Sequence, residues 1–365
     1  MESERPIAEG PLVEWLAALR RMDGSDLLLV ADSRPMIRAR SELHPAAPDV
    51  LTPELIAVAT AGLVPGRLRA DWAAGQSIDF AFSQGEMGRF RVNLHFERGR
   101  AAAAVRALPT QVPSLGSLNF SHDISLLGRL SRGLLLVCGP TGSGKTTTVA
   151  AIVAELNAHQ DRHIVTIEDP IEYEHAHGRS VVEQVEIGVD APSFPVALRG
   201  ALRQAPDVIV IGEMRDLESI RIAVTAAETG HLVIATVHAP DVAGAVSRVA
   251  DAFPPERQSS IRQELAMGLA AVLVQGLLQG TDGQLVPAAE LLMVSYGARQ
   301  HIRKNALQHL HQEMTHTRKL GSFTFEESLA ALVRSGRLER STALLRAPHP
   351  EELELQLAGG LSQRA

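Results

Sequence analysis

The chain of 365 residues has little cysteine, little lysine and no long apolar run. Its single cysteine, Cys138, cannot close an internal disulfide, so stability does not rest on an oxidised framework. Lysine occurs only at Lys145, Lys304 and Lys319, and the other 32 of the 35 basic residues are arginine. Arginine can replace lysine at most surface positions, so a retained lysine marks a place where a compact ammonium is needed. The longest apolar stretch, residues 265–278, is 14 residues long and contains Gln275. A membrane-crossing helix needs about 20. The opening Met1-Glu2-Ser3-Glu4-Arg5 carries both signs of charge with no apolar core behind it, so no secretory signal is expected there. A net charge of −7 argues against a nucleic-acid partner held by bulk charge. The expectation is a cytoplasmic protein with peripheral membrane association at most.

What is present is a globular composition, 45% apolar and 21% charged, long enough for two or three domains. Residues 1–108 read as a small α+β domain. Leu12, Trp15, Leu16 and Leu19 have helical spacing, and residues 78–82 and 90–94 alternate like strands. Residues 109–118 have the Pro, Gly and Ser content of a linker. From there to 297 the pattern changes to an α/β domain. Apolar runs at 134–138, 163–167, 208–211 and 232–237 alternate with helices at 145–159 and 217–228, which implies a mostly parallel sheet covered on both faces. Residues 298–365 read as helical, with a capping box at Thr324–Glu327.

The stretch Gly139-Pro140-Thr141-Gly142-Ser143-Gly144-Lys145-Thr146 satisfies G-x-x-x-x-G-K-[ST] between a strand and a helix, the context that gives the motif its meaning. Its glycines let backbone N–H groups turn towards phosphate oxygens, and the helix N-terminus adds positive potential. Pro140 to Thr147 is therefore the expected nucleotide-binding segment. Lys145 would reach the β- and γ-phosphates, and the Thr146 hydroxyl would coordinate Mg²⁺. Cys138 precedes the loop as a packing residue.

Hydrolysis also needs a carboxylate that positions water. Glu168-Asp169 and Glu213 stand at the carboxyl ends of two runs, the rim where ligands bind in open α/β sheets. The run before Glu213 reads V-I-V-I-G-E, with Gly212 where many such ATPases have aspartate. Glu213 is the expected catalytic acid, with Glu168 or Asp169 supplying the second carboxylate. His231 and His238 flank the run 232–237. The remaining histidine clusters, His175/His177 and His309/His311/His316, have no spaced carboxylate partner and are weak metal candidates.

Four blocks in order, GPTGSGKT, IEDPIEY, GEMRD and TAAETGHLVIATVH, resemble the Walker A, Asp-box, Walker B and His-box of the secretion ATPase superfamily. Gly24-Ser25-Asp26-Leu27, Asp79-Phe80 and Arg89-Phe90-Arg91-Val92-Asn93 add a resemblance to its PilT branch, the type IV pilus retraction ATPases. The resemblance implies a PAS-like N-terminal domain, a RecA-like P-loop ATPase domain and a homohexamer using ATP and Mg²⁺. It also implies docking on an inner-membrane pilus platform protein. Glu213 and Glu168 would be catalytic. His238, His231, Arg91 and Arg106 would sense phosphate. The single cysteine rules out the four-cysteine zinc insertion of assembly relatives. Residues 298–305, Ala-Arg-Gln-His-Ile-Arg-Lys-Asn, only partly match the A-I-R-N-L-I-R-E block of retraction motors. An accessory paralogue that modulates a partner motor, or the ATPase of another secretion system, is therefore the alternative to a retraction motor.

Overall fold

A computed structural model describes residues 7–40 and 42–359; the Met1–Arg5 stretch lies outside them. The chain divides into two compact units. The first holds residues up to Gln111 together with Pro170–Glu174, and the second holds Val112–Asp169 and His175 onwards.

In the first unit, helix α1 (Pro11–Arg21) is followed by strands β1 (Asp26–Leu29), β2 (Met36–Ala39) and β3 (Glu42–Pro45). Helices α2 (Pro53–Ala61) and α3 (Arg69–Ala73) lead to β4 (Ile78–Ser83), β5 (Arg89–Glu97) and β6 (Arg100–Ala107). The six strands form an antiparallel sheet in the order β3-β2-β1-β6-β5-β4. Period-two patterning decides which face is covered. Ile78, Phe80 and Phe82 point inward along β4, as do Phe90, Val92 and Leu94 along β5, onto Leu12, Leu16 and Leu19 of α1. Arg89 Nε donates to the Ile171 carbonyl at 3.0 Å, so the 170–174 excursion is anchored in this unit.

The second unit runs β7 (Gly133–Cys138), α4 (Lys145–His159), β8 (His163–Glu168), β9 (Val181–Glu186), α5 (Phe194–Ala201), β10 (Val208–Ile211), α6 (Leu217–Glu228) and β11 (Leu232–Val237). It continues with α7 (Val242–Asp251), α8 (Pro255–Gly268), β12 (Leu269–Gln279) and β13 (Leu285–Met293). Five helices follow: α9 (Tyr296–Arg303), α10 (Leu310–His316), α11 (Phe325–Arg334), α12 (Arg340–Arg346) and α13 (Pro350–Gly359). The sheet order is β13-β12-β7-β11-β10-β8-β9, parallel except for β13 against β12. Every residue of β7, β10 and β11 is buried, which is why these segments read as continuous apolar runs.

The apolar stretch 265–278 is two elements. It ends α8 and then becomes β12, beside β7. Neither β9 nor β13 has a clear strand signal in the sequence. Pro287 in β13 is tolerated because that strand lies at the sheet edge. The helices α11, α12 and α13 close over the outer end of β12 and β13, burying Leu329, Leu332, Ala343 and Leu353 against Leu278, Val286 and Ala288. Thr324 and Glu327 make the reciprocal capping bonds of α11. Among the described residues, no helix is long and apolar enough to cross a membrane.

Candidate nucleotide site

The loop between β7 and α4 is shaped by its backbone. Gly139, Gly142 and Gly144 all have positive φ (144°, 76° and 85°). At Gly139 a Cβ would lie 2.2 Å from the Gln275 carbonyl oxygen, so only glycine fits where β12 backs the loop. Gln275 Nε2 donates to the Ser143 carbonyl at 2.7 Å. Lys145 Nζ donates to the carbonyls of Gly139 (3.0 Å) and Pro140 (2.8 Å), folding its side chain back over the loop. Partial burial draws its ammonium below the usual value, and Glu213 opposes this. The first turn of α4 has no side-chain cap, and the buried Ser143 Oγ has no hydrogen-bond partner. Uncapped N–H groups, an orphaned hydroxyl and an ammonium together fit an anionic phosphate chain.

Glu213 follows β10, and His238 follows β11, the neighbouring strand. His238 Nε2 lies 3.1 Å from Glu213 Oε1, and Arg215 Nη2 donates to Glu213 Oε2 at 2.6 Å. The Arg215 guanidinium holds the Glu213 carboxyl below the usual carboxylate range; partial burial pushes the other way, and His238 and Lys145 help to lower it. Glu213 is thus an ionised acceptor already engaged on both oxygens.

Glu168 ends β8, where its Oε1 accepts from Thr166 Oγ1 (2.7 Å) and Gln184 Nε2 (3.1 Å). Gly212 lies beside the end of β8. A Cβ there would lie 3.2 Å from the Ile167 carbonyl oxygen, 3.4 Å from Glu168 Cα and 3.8 Å from Glu168 Cγ. A side chain at 212 would thus stand in ordinary van der Waals contact with Glu168, with only the Ile167 carbonyl slightly tight. The Glu168 carboxylate, with Thr146 in the first turn of α4, is a donor set of hard oxygens that fits Mg²⁺.

A cavity of about 500 Å³ opens beside the loop. It is lined by Thr141, His238, Gln275, Leu277, Phe325 and Arg346 among others. Its size and mixed lining suit a nucleotide base. A second cavity, of about 530 Å³, lies beyond Met214 and Arg215 and reaches Arg248. His238, Ala239 and Pro240 border both.

His231 does not join this group. It precedes β11 at the opposite end from His238, roughly 20 Å away at strand spacing, and its Nδ1 meets the Ala226 carbonyl at 3.0 Å. Arg91 and Arg106 are facing partners on β5 and β6 of the first unit. Arg91 grips Asp79 with two hydrogen bonds (3.0 and 2.8 Å), and Arg106 donates to Asp26 at 2.9 Å. The sequence did not point to Arg215, Phe325 or Arg346. The one usable signal was Gln275, a lone polar residue inside an apolar run. Cys138 is buried, and its thiol is pushed up to about 12 by burial.

A phosphate loop, a strand-end glutamate and a histidine on the next strand, along one rim of a mainly parallel sheet, define a P-loop ATPase. Residues 104–344 match the family model for Type II/IV secretion system proteins. The chain is 36% identical to the Type IV pilus retractation ATPase PilT of Pseudomonas aeruginosa, over 93% of this chain and 99% of that one. It is also 36% identical to the Type IV pilus ATPase PilU of the same organism, over 92% of this chain and 88% of that one. A crystal structure of the pilus retraction motor PilT with bound ADP superposes with a TM-score of 0.88, covering 95% of this chain and 99% of that one at 36% identity. The chain belongs to the PilT/PilU-like family of type IV pilus ATPases.

Proposed function

We propose that this chain is the subunit of a homohexameric, ATP-driven motor that retracts type IV pili, working in the cytoplasm against an inner-membrane platform protein. The observation that carries the reading is the phosphate loop with Glu213 held between Arg215 and His238, in a chain similar to PilT along nearly its whole length.

In this reading Lys145, the loop N–H groups and Ser143 bind the phosphates, and the base enters the cavity beside Phe325 and Arg346. Glu213 accepts a hydrogen bond from the attacking water and orients it. His238 lies against Glu213 and reports whether the terminal phosphate is present. Thr146 would hold Mg²⁺, with Glu168 reaching it through water, and the ion would neutralise charge on the phosphate oxygens. Arg91 and Arg106 would release Asp79 and Asp26 to meet phosphate when the domains close, an always-charged donor on a moving body coupling motion to nucleotide state. The 170–174 excursion supports such coupling, because it leaves the second unit directly after Glu168 and Asp169 and is held by Arg89 in the first. The first unit would be the PAS-like domain, the second the RecA-like domain with its helical C-terminal region.

The accessory reading rests on the altered block at residues 298–305. In the altered block of α9, Arg299 donates to the carbonyls of Ala266 and Met267, and so is engaged at the C-terminus of α8. Equal identity to PilT and PilU leaves this role open to either branch. The deciding experiment is deletion of the gene, with complementation by wild type and by Glu213→Gln. A motor predicts piliated, non-twitching cells rescued only by wild type. Normal twitching after deletion overturns the retraction reading, and rescue by Glu213→Gln favours the accessory one.

A further inference from the structure

Outside the nucleotide site, one group of side chains among the described residues has the make-up of a metal site. His311 on α10, Glu326 on α11 and Glu352 on α13 each offer one ligand atom, and these atoms lie within 4.8 Å of one another. The three residues are far apart in sequence, and only the packing of α11 and α13 brings the acids to His311. His311 Nε2 and Glu352 Oε2 are 2.8 Å apart. Glu352 Oε1 takes only a long contact of 3.5 Å from Gln356 Nε2.

Glu326 supplies the independent sign of a ligand. Its side chain is 1% exposed, and one oxygen accepts from the His349 N–H at 2.9 Å. The other oxygen, Oε2, is fully buried and has no hydrogen-bond partner. A buried carboxylate oxygen without a partner is costly, and proteins normally satisfy such atoms with a donor, a water or an ion. Glu290 is a further buried acid on the adjoining strand β13. Two carboxylates facing one imidazole leave an excess of negative charge that a cation relieves.

We propose that His311, Glu326 and Glu352 bind a divalent transition-metal ion. One imidazole and two carboxylates are the His/Glu donor mixture that zinc accepts, with water completing a tetrahedron. Zinc bonds of 2.0–2.2 Å set ligand atoms about 3.3 Å apart, so side-chain rotation of about an ångström closes the set. The ion would tie α10, α11 and α13 together. Because α11 begins at Phe325, it would also fix one wall of the cavity beside the phosphate loop. The site stands apart from the nucleotide chemistry and is tested without nucleotide.

The test is zinc binding to the full chain after treatment with chelator. Metal content after dialysis and competition with a chromophoric chelator give stoichiometry and affinity, in the presence of excess Mg²⁺. The expected result is one ion per chain, with affinity at least tenfold weaker in Glu326→Gln and in Glu352→Gln. Zinc should raise the melting temperature of the wild type but not of the variants. Glu352 is half-exposed, so its variant keeps the test valid if Glu326→Gln fails to fold. No bound ion in the wild type overturns the proposal. So does a Glu352→Gln protein, folded by circular dichroism, with unchanged stoichiometry and affinity, since the zinc would then sit on other histidines.

Discussion

His238 Nε2 and Glu213 Oε1 stand 3.1 Å apart although 24 intervening residues separate them in the chain. The register explains it. Ile211 of β10 pairs with Ala235 of β11 in parallel, so the residues just past the two strand ends emerge side by side. His238 also borders both cavities at this rim.

Glu213→Gln should bind ATP with near wild-type affinity and lose turnover by about 10²–10⁴-fold, the range contributed by a positioned general base. Gln keeps the size and an acceptor oxygen but not the charge. Phosphate release measured beside binding of a fluorescent nucleotide separates the two effects. Turnover at the wild-type rate would show that the catalytic acid lies elsewhere.

Arg215→Ala should move the acid limb of the kcat/KM profile to higher pH. Arg215 lowers the Glu213 pKa, so removing it raises that pKa. The ionised form needed to orient water then persists over less of the acidic range. A pH–rate profile checks this, and a limb that stays in place would mean that Glu213 ionisation does not control the step.

Phe325→Ala should weaken ATP binding by about 1–3 kcal/mol, roughly 5- to 150-fold, if the base stacks on the ring. Inorganic pyrophosphate, which lacks a base, should bind the variant and the wild type equally. Parallel titrations with both ligands distinguish a lost base contact from a disturbed loop.

Glu290→Gln tests a buried charge. Burial, with the Asp241 and Glu326 charges, pushes the Glu290 carboxyl from 4.5 up to about 7, against the pull of the Val242 N–H and His311. The native state then holds a proton that the unfolded chain releases, so stability from this group is complete below pH 4.5 and is lost as pH rises through about 7. The stability of the wild type relative to Glu290→Gln should fall across that window by up to about 3 kcal/mol. Denaturant unfolding in chelator at several pH values measures it, and a constant difference would contradict the assignment.

The phosphate loop was legible because a short, local pattern fixes its chemistry. Gly139 to Thr146 are consecutive and run straight into α4, although Gln275 of β12 braces them from behind. The strands β7, β10 and β11 were legible because full burial writes a continuous apolar run. β9 is a half-covered edge strand with a weaker pattern, β13 is interrupted by Pro287, and β12 hid inside a run that continues from α8. The two histidines flanking β11 look equivalent in sequence, yet a strand separates its ends, so only His238 reaches Glu213.

The sequence by itself pointed to ATPase chemistry, through a phosphate loop bearing Lys145, one of three lysines in an arginine-rich chain, and through acids at strand ends. Only the tertiary structure decided which side chains meet. It gave Glu213 to Arg215 and His238, and it lined the cavity beside the phosphate loop with Phe325 and Arg346. It also brought Glu326 and Glu352, distant in the sequence, to His311. The physical reason is range: a loop that binds phosphate is built from consecutive residues, whereas a cavity wall or a ligand set is assembled from helices whose order along the chain does not predict their contact.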